Sequence, residues 1–260
     1  MIFILQAVIM FQKFLYTSLL YLSLIALANA TIVEFQTSQG AIKVNLFDQT
    51  TPRTVANFLK YIDEQHYTNS VIHRVSSGFV VQGGGFTFEG NWPLTRIAAN
   101  PSVINEPVYS NVKGTIAMAK LGNAPNSATD QWFFNLANNA SNLDLQNGGF
   151  TVFGQVIGDS MAIIEKIAGL ARCQDIPMLD YTSTQCSNND VPGIENFVVI
   201  NQIDILDPFE VTDTDLDPVK NTLITTPAPD SGSSSGGSFT WITVLFLLSF
   251  SMRKLIIKTN

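Results

Sequence analysis

Arg74 and Gln82 are the residues of this chain best placed to do chemistry, and both lie in a strand-forming stretch from Val71 to Phe86. Two β-rich segments of this stretch flank a Ser-Ser-Gly turn, which predicts a hairpin. Side chains alternate along a strand, so Arg74, Val80 and Gln82 are expected on one face. A cation, an apolar surface and an amide would converge there. A second amide with further aromatic surface follows in the run Gln131 to Phe134.

Neither stretch has the ligand spacing of a metal site, and we expect neither a metal nor a cofactor. The run Gly83 to Gly85 predicts a turn, because it lacks the strand-to-helix context of a phosphate-binding loop. We expect His73 to be a structural hydrogen-bonding residue and not a base. Taken alone, Arg74 is typical of a solvated surface and Phe133 of a core. The functional interpretation depends on their joint occurrence.

Together these stretches resemble the cyclophilin family of peptidyl-prolyl cis-trans isomerases, particularly its shorter bacterial secreted type. The resemblance runs from Thr31 to Leu206 and includes Thr-Pro-Arg-Thr-Val-Ala-Asn-Phe from Thr51 and Val-Phe-Gly-Gln-Val from Val152. It implies a mainly β fold, a closed eight-stranded antiparallel β-barrel capped by two α-helices. Many short strand signals with two amphipathic helices agree with such a barrel.

By this resemblance four residues are catalytic, with Arg74 as the hydrogen-bond donor and Gln82 bonded to the backbone next to the proline: Arg74, Phe79, Gln82 and Phe133. A further set would bind substrate in the proline pocket or the subsite preceding it: Val80, Ala119, Lys120, Gln131, Leu143 and Phe150. Asn142 precedes Leu143, where the family usually has an aromatic residue that contributes to cyclosporin binding. The resemblance therefore does not predict cyclosporin binding for this chain.

The implied function is acceleration of X-Pro isomerisation during the folding of proteins outside the cytoplasm, with proline-containing polypeptides as substrates and a monomeric enzyme. One alternative is a chaperone that binds proline segments with little turnover. Another is a surface interaction module that uses the barrel as a scaffold. Arg74 distinguishes the first two, because binding alone would tolerate its loss.

Composition agrees with one substantial core, since 46% of the 260 residues are hydrophobic and 13% are charged. The net charge of −7 makes a large basic face improbable, so nucleic acid is not an expected partner.

The amino end predicts a secretory signal peptide over residues 1–30. Lys13 precedes an apolar run from Phe14 to Leu27, and Ala28-Asn29-Ala30 ends it with the small residues of a cleavage site. A buried core helix is the alternative. Translation from Met10 would give a conventional basic n-region, so Met10 is a candidate initiator. The isomerase domain is then expected over residues 31–208.

Past Pro208 the composition changes, and residues 209–238 predict a flexible acidic linker rich in Ser, Gly, Thr and Pro. Residues 239–260 contain an apolar run followed by Arg253 and Lys254. The order of Gly-Gly, apolar segment and basic end resembles the sorting tails of Gram-negative exported proteins, and a permanent anchor is the alternative. We expect at least transient membrane contact and a location in the periplasm, on the outer surface or outside the cell.

Cys173 and Cys186 are the two cysteines, and in an exported chain their loop rich in Asp, Ser and Asn favours a disulfide over two free thiols. Among the regular elements, Thr51 is expected to cap a helix with Pro52 at its first position. Val55 and Phe58 recur at the spacing of a buried helix face.

Overall fold

The computed structural model describes residues 31–207 and 216–224, and the signal peptide and tail expected from the sequence lie outside them. The described chain contains thirteen short strands: β1 Ile32–Thr37, β2 Gly40–Leu46, β3 Ser70–Val71, β4 Arg74–Ser76, β5 Val80–Gly83, β6 Phe86–Thr87, β7 Thr95–Arg96, β8 Thr115–Met118, β9 Trp132–Asn135, β10 Val152–Val156, β11 Ala171–Cys173, β12 Ile176–Met178 and β13 Val199–Asp207. The helices are α1 Pro52–Asp63, α2 Ala140–Leu143, α3 Ser160–Ala168 and α4 Ser183–Asn188, with 3₁₀ turns at Gln146–Gly148 and Ile194–Asn196.

Eleven of these strands form one antiparallel sheet in the order β4-β5-β9-β8-β10-β2-β1-β13-β3-β6-β7, while β11 and β12 form a separate hairpin. Only Ile72 and His73 separate β3 from β4, yet β3 pairs with β13 and β4 pairs with β5. One bent stretch of chain therefore lies near both ends of the row and curls the sheet. The mainly β antiparallel fold is confirmed. A regular closed barrel of eight strands is not observed. The stretch that carries β3 and β4 is interrupted between them, and β6 and β7 add two strands at one end of the sheet.

Aromatic side chains fill the interior of the curled sheet. Phe35 lies edge-on to Trp132 and Phe134, with ring centroids 5.0 and 5.6 Å apart, and Phe58 of α1 lies 5.1 Å from Phe153. All five side chains are nearly or completely buried. Because this core is packed, we expect any binding site on the outer face of the sheet.

Helix α1 begins at Pro52 with Thr51 in the N-cap position, and it buries Val55 and Phe58 as its sequence predicts, but the Thr51 side chain makes no capping hydrogen bond. The Thr51 hydroxyl donates to the Phe47 carbonyl instead. The carboxylate of Glu106 accepts a hydrogen bond from the Thr54 amide at 2.9 Å. Glu106, 52 residues away in sequence, thus accepts a hydrogen bond from a backbone amide in the first turn of α1. In most helices a side chain at the N-cap accepts this bond.

The predicted disulfide is confirmed, since Cys173 and Cys186 are bonded with their Cα atoms 5.5 Å apart. It joins the end of β11 to α4. Around it lies an outer apolar cluster that includes Val71, Met178, Tyr181 and Phe197. The disulfide and this cluster fix the β11–β12 hairpin against the side of the barrel, where the amide of Val75 donates to the Asp175 carbonyl at 2.7 Å.

Residues 216–224, within the expected linker, lie against the barrel. The Ser110 amide donates to the Val219 carbonyl, and the Asn221 amide donates to the Val108 carbonyl. The Asn221 side chain also donates to the Asp144 carbonyl at 3.1 Å. We call residues 216–224 the strap. Within residues 31–207 and the strap, none of the helices has the length and apolar character needed to span a bilayer.

Replacing both Cys173 and Cys186 by Ala should lower the free energy of unfolding by about 3 kcal/mol, because the bridge closes a loop of sequence separation 13. Urea unfolding measures this change. The unmodified protein in reductant provides the control and should lose a similar amount. An unchanged unfolding midpoint in both cases would contradict the stabilising role.

Candidate active site

The β4–β5 hairpin brings the predicted polar residues together. Arg74 pairs directly with Gln82, and Ser76 pairs with Val80, so Arg74, Val80 and Gln82 share one face as the alternation predicts. Arg74 Nη1 donates to Gln82 Oε1 at 3.2 Å. Gln82 Nε2 in turn donates to Gln131 Oε1 at 2.8 Å. The guanidinium is therefore oriented by a chain of two amides.

Beside Arg74 lies a cavity of about 270 Å³ with a mainly apolar lining, which we call the first cavity. Nine of the ten residues predicted from the sequence line it: Arg74, Phe79, Val80, Gln82, Ala119, Lys120, Phe133, Leu143 and Phe150. The tenth, Gln131, is in contact through Gln82. The sequence did not assign Gln146 to the lining, nor Asn142, which it connected only with inhibitor binding.

The floor of the first cavity comes from side chains that alternate with the barrel core. Phe133 lies between the buried Trp132 and Phe134 on β9, and its side chain therefore faces the opposite side of the sheet. It packs with Val80 and Leu143 in a separate apolar cluster and meets Phe150 edge-on at 5.8 Å. The result is an apolar surface open at one side to the Arg74 guanidinium.

The Lys120 ammonium makes contacts with the loop that carries Phe150, which its position in the sequence does not predict. Its ammonium donates to the carbonyls of Asn147 and Gly149, at 2.9 and 2.5 Å, and lies 4.8 Å from the centroid of the Phe150 ring. Burial lowers the pKa of this ammonium to about 8. Lys120 thus holds the loop carrying Phe150 as well as lining the cavity.

The same loop has two more attachments. Asn105 Nδ2 donates to the carbonyls of Gly148 and Gly149, each at 2.8 Å. On the other side, the strap binds the Asp144 carbonyl through Asn221. The wall formed by Leu143 and Phe150 is consequently held from three directions.

Behind Gln82 and Gln131 lies a buried charge cluster that the sequence analysis missed. Asp130 is fully buried and accepts two hydrogen bonds from Arg96, at 2.6 and 2.7 Å, while His66 Nε2 lies 3.0 Å from the same carboxylate. Burial alone would raise the pKa of the Asp130 carboxyl, but the hydrogen bonds from His66, Arg96 and Thr129 hold it well below its usual range. No short motif joins these residues, so only the fold brings them together.

This charge cluster positions the glycine turn after β5. Arg96 donates to the Gly85 carbonyl at 2.8 Å, and His66 lies 3.2 Å from the Gly84 carbonyl. A Cβ atom on Gly84 would lie 2.5 Å from the Asp130 carbonyl, and one on Gly85 would lie 2.7 Å from the Gln131 side chain. Glycine is needed at both positions because the neighbouring strand approaches so closely.

The arrangement can bind an apolar ring in the first cavity and present a fixed cationic donor to the amide beside it. Among the described residues, no group of three or more His, Cys, Asp and Glu side chains could hold a metal ion. The chemistry that these side chains support is hydrogen bonding and electrostatic stabilisation of a bound peptide.

Comparisons with known proteins identify similar chains. A family model described as "Cyclophilin type peptidyl-prolyl cis-trans isomerase/CLD" matches residues 32–187. Peptidyl-prolyl cis-trans isomerase B of Escherichia coli is 39% identical over 158 residues, covering 57% of this chain and 94% of the relative. The peptidyl-prolyl cis-trans isomerase of Acinetobacter baylyi is 39% identical over 152 residues, covering 58% and 78%. A solved cyclophilin type peptidyl-prolyl cis-trans isomerase of Cryptosporidium parvum is 19% identical with a TM-score of 0.49, covering 68% and 98%.

The Lys120 ammonium should make the free energy of unfolding depend on pH in the alkaline range. Its pKa is lowered to about 8 in the folded chain from 10.5, so the unfolded chain binds more protons between these values. The free energy of unfolding should therefore rise with pH across this window, relative to a Lys120→Met variant that lacks the group.

Urea unfolding at pH 7, 8, 9 and 10 measures the difference between the two proteins. Lys60→Met is the control, because Lys60 is an exposed residue of α1. A difference that stays constant with pH, or that changes equally for Lys60→Met, would contradict the burial of the Lys120 charge.

Proposed function

The chain belongs to the family of cyclophilin type peptidyl-prolyl cis-trans isomerases, and we propose that it isomerises X-Pro bonds at Arg74 and the first cavity. The observation that carries this assignment is the Arg74–Gln82 pair beside an apolar floor made by Val80 and Phe133. The cavity of about 270 Å³ suits one small ring more than an extended ligand, since sites for drug-sized ligands measure about 300–1,000 Å³.

The reaction requires rotation about one amide bond, over a barrier of about 20 kcal/mol. Twisting the amide removes its resonance and leaves electron density on the proline nitrogen. A donor that binds the twisted amide more strongly than the planar one lowers this barrier without a nucleophile. Five decades of acceleration would need about 7 kcal/mol of such preference.

Arg74 is suited to be this donor because its side chain is already oriented. A guanidinium has five N–H donors in a rigid plane, and the bond to Gln82 uses one of them. Orientation before binding means that little side-chain freedom is lost during the reaction. In this mechanism the apolar cavity holds the proline ring while the carbonyl side of the bond rotates.

Gln82 would contact the substrate backbone in addition to orienting Arg74. Its carboxamide bonds to Arg74 through Oε1 and to Gln131 through Nε2. A primary amide has two N–H donors and two acceptor sites on its oxygen, so one of each remains for the substrate. Ala119 and Lys120 line the same cavity and would meet residues that precede the proline.

The proposed setting is outside the cytoplasm of a Gram-negative bacterium, in the periplasm, on the outer surface or in the medium. The signal-like sequence of residues 1–30 supports export. The Cys173–Cys186 disulfide supports an oxidising compartment, because disulfides persist there. In this proposal the apolar segment of residues 239–260 contacts a membrane until a protease removes it.

The alternative function is a module that binds proline segments with little turnover, and Arg74→Ala separates the two. If Arg74 acts in the transition state, this variant should lose on the order of 10² to 10³ in kcat/KM on an X-Pro peptide, the scale for one preorganised donor. Its melting temperature should change little, since the Arg74 side chain is 39% exposed.

Arg53→Ala, at an exposed arginine of α1, is the matched control and should keep full activity. Peptide affinity measured by calorimetry completes the test. Near-normal turnover of Arg74→Ala would reject the catalytic role, and unaltered affinity with no turnover in either protein would support the binding module.

Processing of the tail has its own test. A protease that cuts near Gly236-Gly237-Ser238 would leave the barrel free of its apolar segment, and the intact mass of the mature protein from its native host would then end close to Gly236. A chain that begins at Thr31 would agree with signal cleavage. A mature chain that still ends at Asn260 would favour a permanent anchor.

A further inference from the structure

A second cavity, of about 220 Å³, lies beside the β4–β5 hairpin and outside the first cavity. We propose that it is a further substrate subsite, which binds one apolar side chain of the polypeptide two or three residues from the isomerised proline. This proposal rests on the proposed function and extends it to the sequence around the proline.

The second cavity has a mainly apolar wall. The apolar lining residues are Phe86, Trp92, Pro93, Leu94 and Ile176, and the polar ones are His73 and Gln174. Burial lowers the pKa of His73 to about 4, so the imidazole is neutral at physiological pH and the cavity has no charged lining residue. A charged substrate side chain would lose its hydration here without gaining a partner, whereas an aromatic or branched aliphatic side chain would not. The volume is below that of sites for drug-sized ligands, about 300–1,000 Å³, and fits a single side chain.

Each wall of the second cavity includes a residue that directly precedes either Arg74 or its ion-pair partner Asp175. His73 lines the second cavity and the next residue, Arg74, lines the first. On the opposite wall, Gln174 lines the second cavity, and the carboxylate of the next residue, Asp175, lies 3.8 Å from Arg74 Nε. Arg74 is therefore close to both walls of the second cavity, through the backbone to His73 and through its ion pair with Asp175.

A bound polypeptide that extends past Arg74 towards His73 and Asp175 would reach the second cavity. Each residue of an extended chain spans about 3.3–3.6 Å, so two or three residues beyond the proline cover about 7–11 Å. Successive side chains alternate in direction, and one of them can therefore point towards the surface there. Gln131 also links the two regions, because its side chain hydrogen-bonds to Gln82 and to His73.

The second cavity exists before any ligand binds, because its walls are packed from behind. Trp92 stacks against the buried Phe197 at 6.0 Å, and the Phe86 ring lies 4.7 Å from the His73 imidazole. The opposite wall belongs to the β11–β12 hairpin, whose position the Cys173–Cys186 disulfide fixes. A preformed cavity binds a side chain with little ordering cost.

The test uses the full chain and a series of alanine-rich peptides with one Ala-Pro bond. A single Phe is placed in turn at each position from three before to three after the proline, and an all-alanine peptide is the reference. Isomerisation by NMR exchange gives kcat/KM, and calorimetry gives the dissociation constant. Phe should improve both by about tenfold at one position two or three residues from the proline, the order expected for burying one apolar side chain.

Ile176→Glu should abolish this preference while leaving turnover of the all-alanine peptide unchanged. Leu94→Gln, on the other wall, is a second variant in case the first fails to fold. Val191→Glu is the matched control, since Val191 follows the disulfide-bonded loop, is 63% exposed and does not line the cavity. It should keep the preference.

A flat Phe profile in the unmodified protein, or a preference that survives in both cavity variants, would overturn the subsite. If the protein shows no Phe preference but self-associates, and Ile176→Glu abolishes that self-association, the cavity instead binds a second copy of the chain. If no peptide of the series is turned over, the proposed function is wrong. The dissociation constants still show whether the second cavity prefers Phe, so the subsite is tested separately.

Discussion

Gln82 lies directly opposite Arg74 on β4 and directly opposite Phe133 on β9, and the remainder of the site depends on this register. Neighbouring strands are about 4.8 Å apart, so the donor, the orienting amide and the aromatic floor form a row across three strands. The same alternation places Trp132 and Phe134 in the barrel core. A slip by one residue would exchange the two faces, moving Phe133 into the barrel core and its neighbours to the outer face, so the packed core also enforces the site.

Features with local signals could be predicted from the sequence. The Ser-Ser-Gly turn and side-chain alternation predict the shared face of Arg74 and Gln82, and the resemblance supplied the residues that line the first cavity. The N-cap position of Thr51 was predicted, but the hydrogen bond to Glu106 was not, because Glu106 approaches the helix from a distant part of the chain. Lys120 lines the first cavity. Its bonds to the carbonyls of Asn147 and Gly149 could not be read from the sequence, because only the fold brings these residues together.

The same limit explains why the Asp130 cluster was missed. Arg96 and His66 are 34 and 64 residues from Asp130, and no spacing rule connects such distances. A buried ion pair is also weak evidence for stability, because desolvation offsets much of its attraction. Its clearest effect here is geometric, since it fixes the carbonyls of Gly84 and Gly85 where the chain must pass close to Gln131.

The two cavities would contribute differently to catalysis. A contact speeds the chemical step only if it is stronger in the twisted state than in the planar one. Arg74 acts at the bond that rotates and can meet this condition. A side chain held in the second cavity, two or three residues away, keeps the same contacts in both states, so it would improve affinity and leave turnover at saturation unchanged. Because Trp92, Leu94 and Ile176 of that cavity lie outside β4, β5 and β9, substrate preference could change at these residues without disturbing the register that positions Arg74.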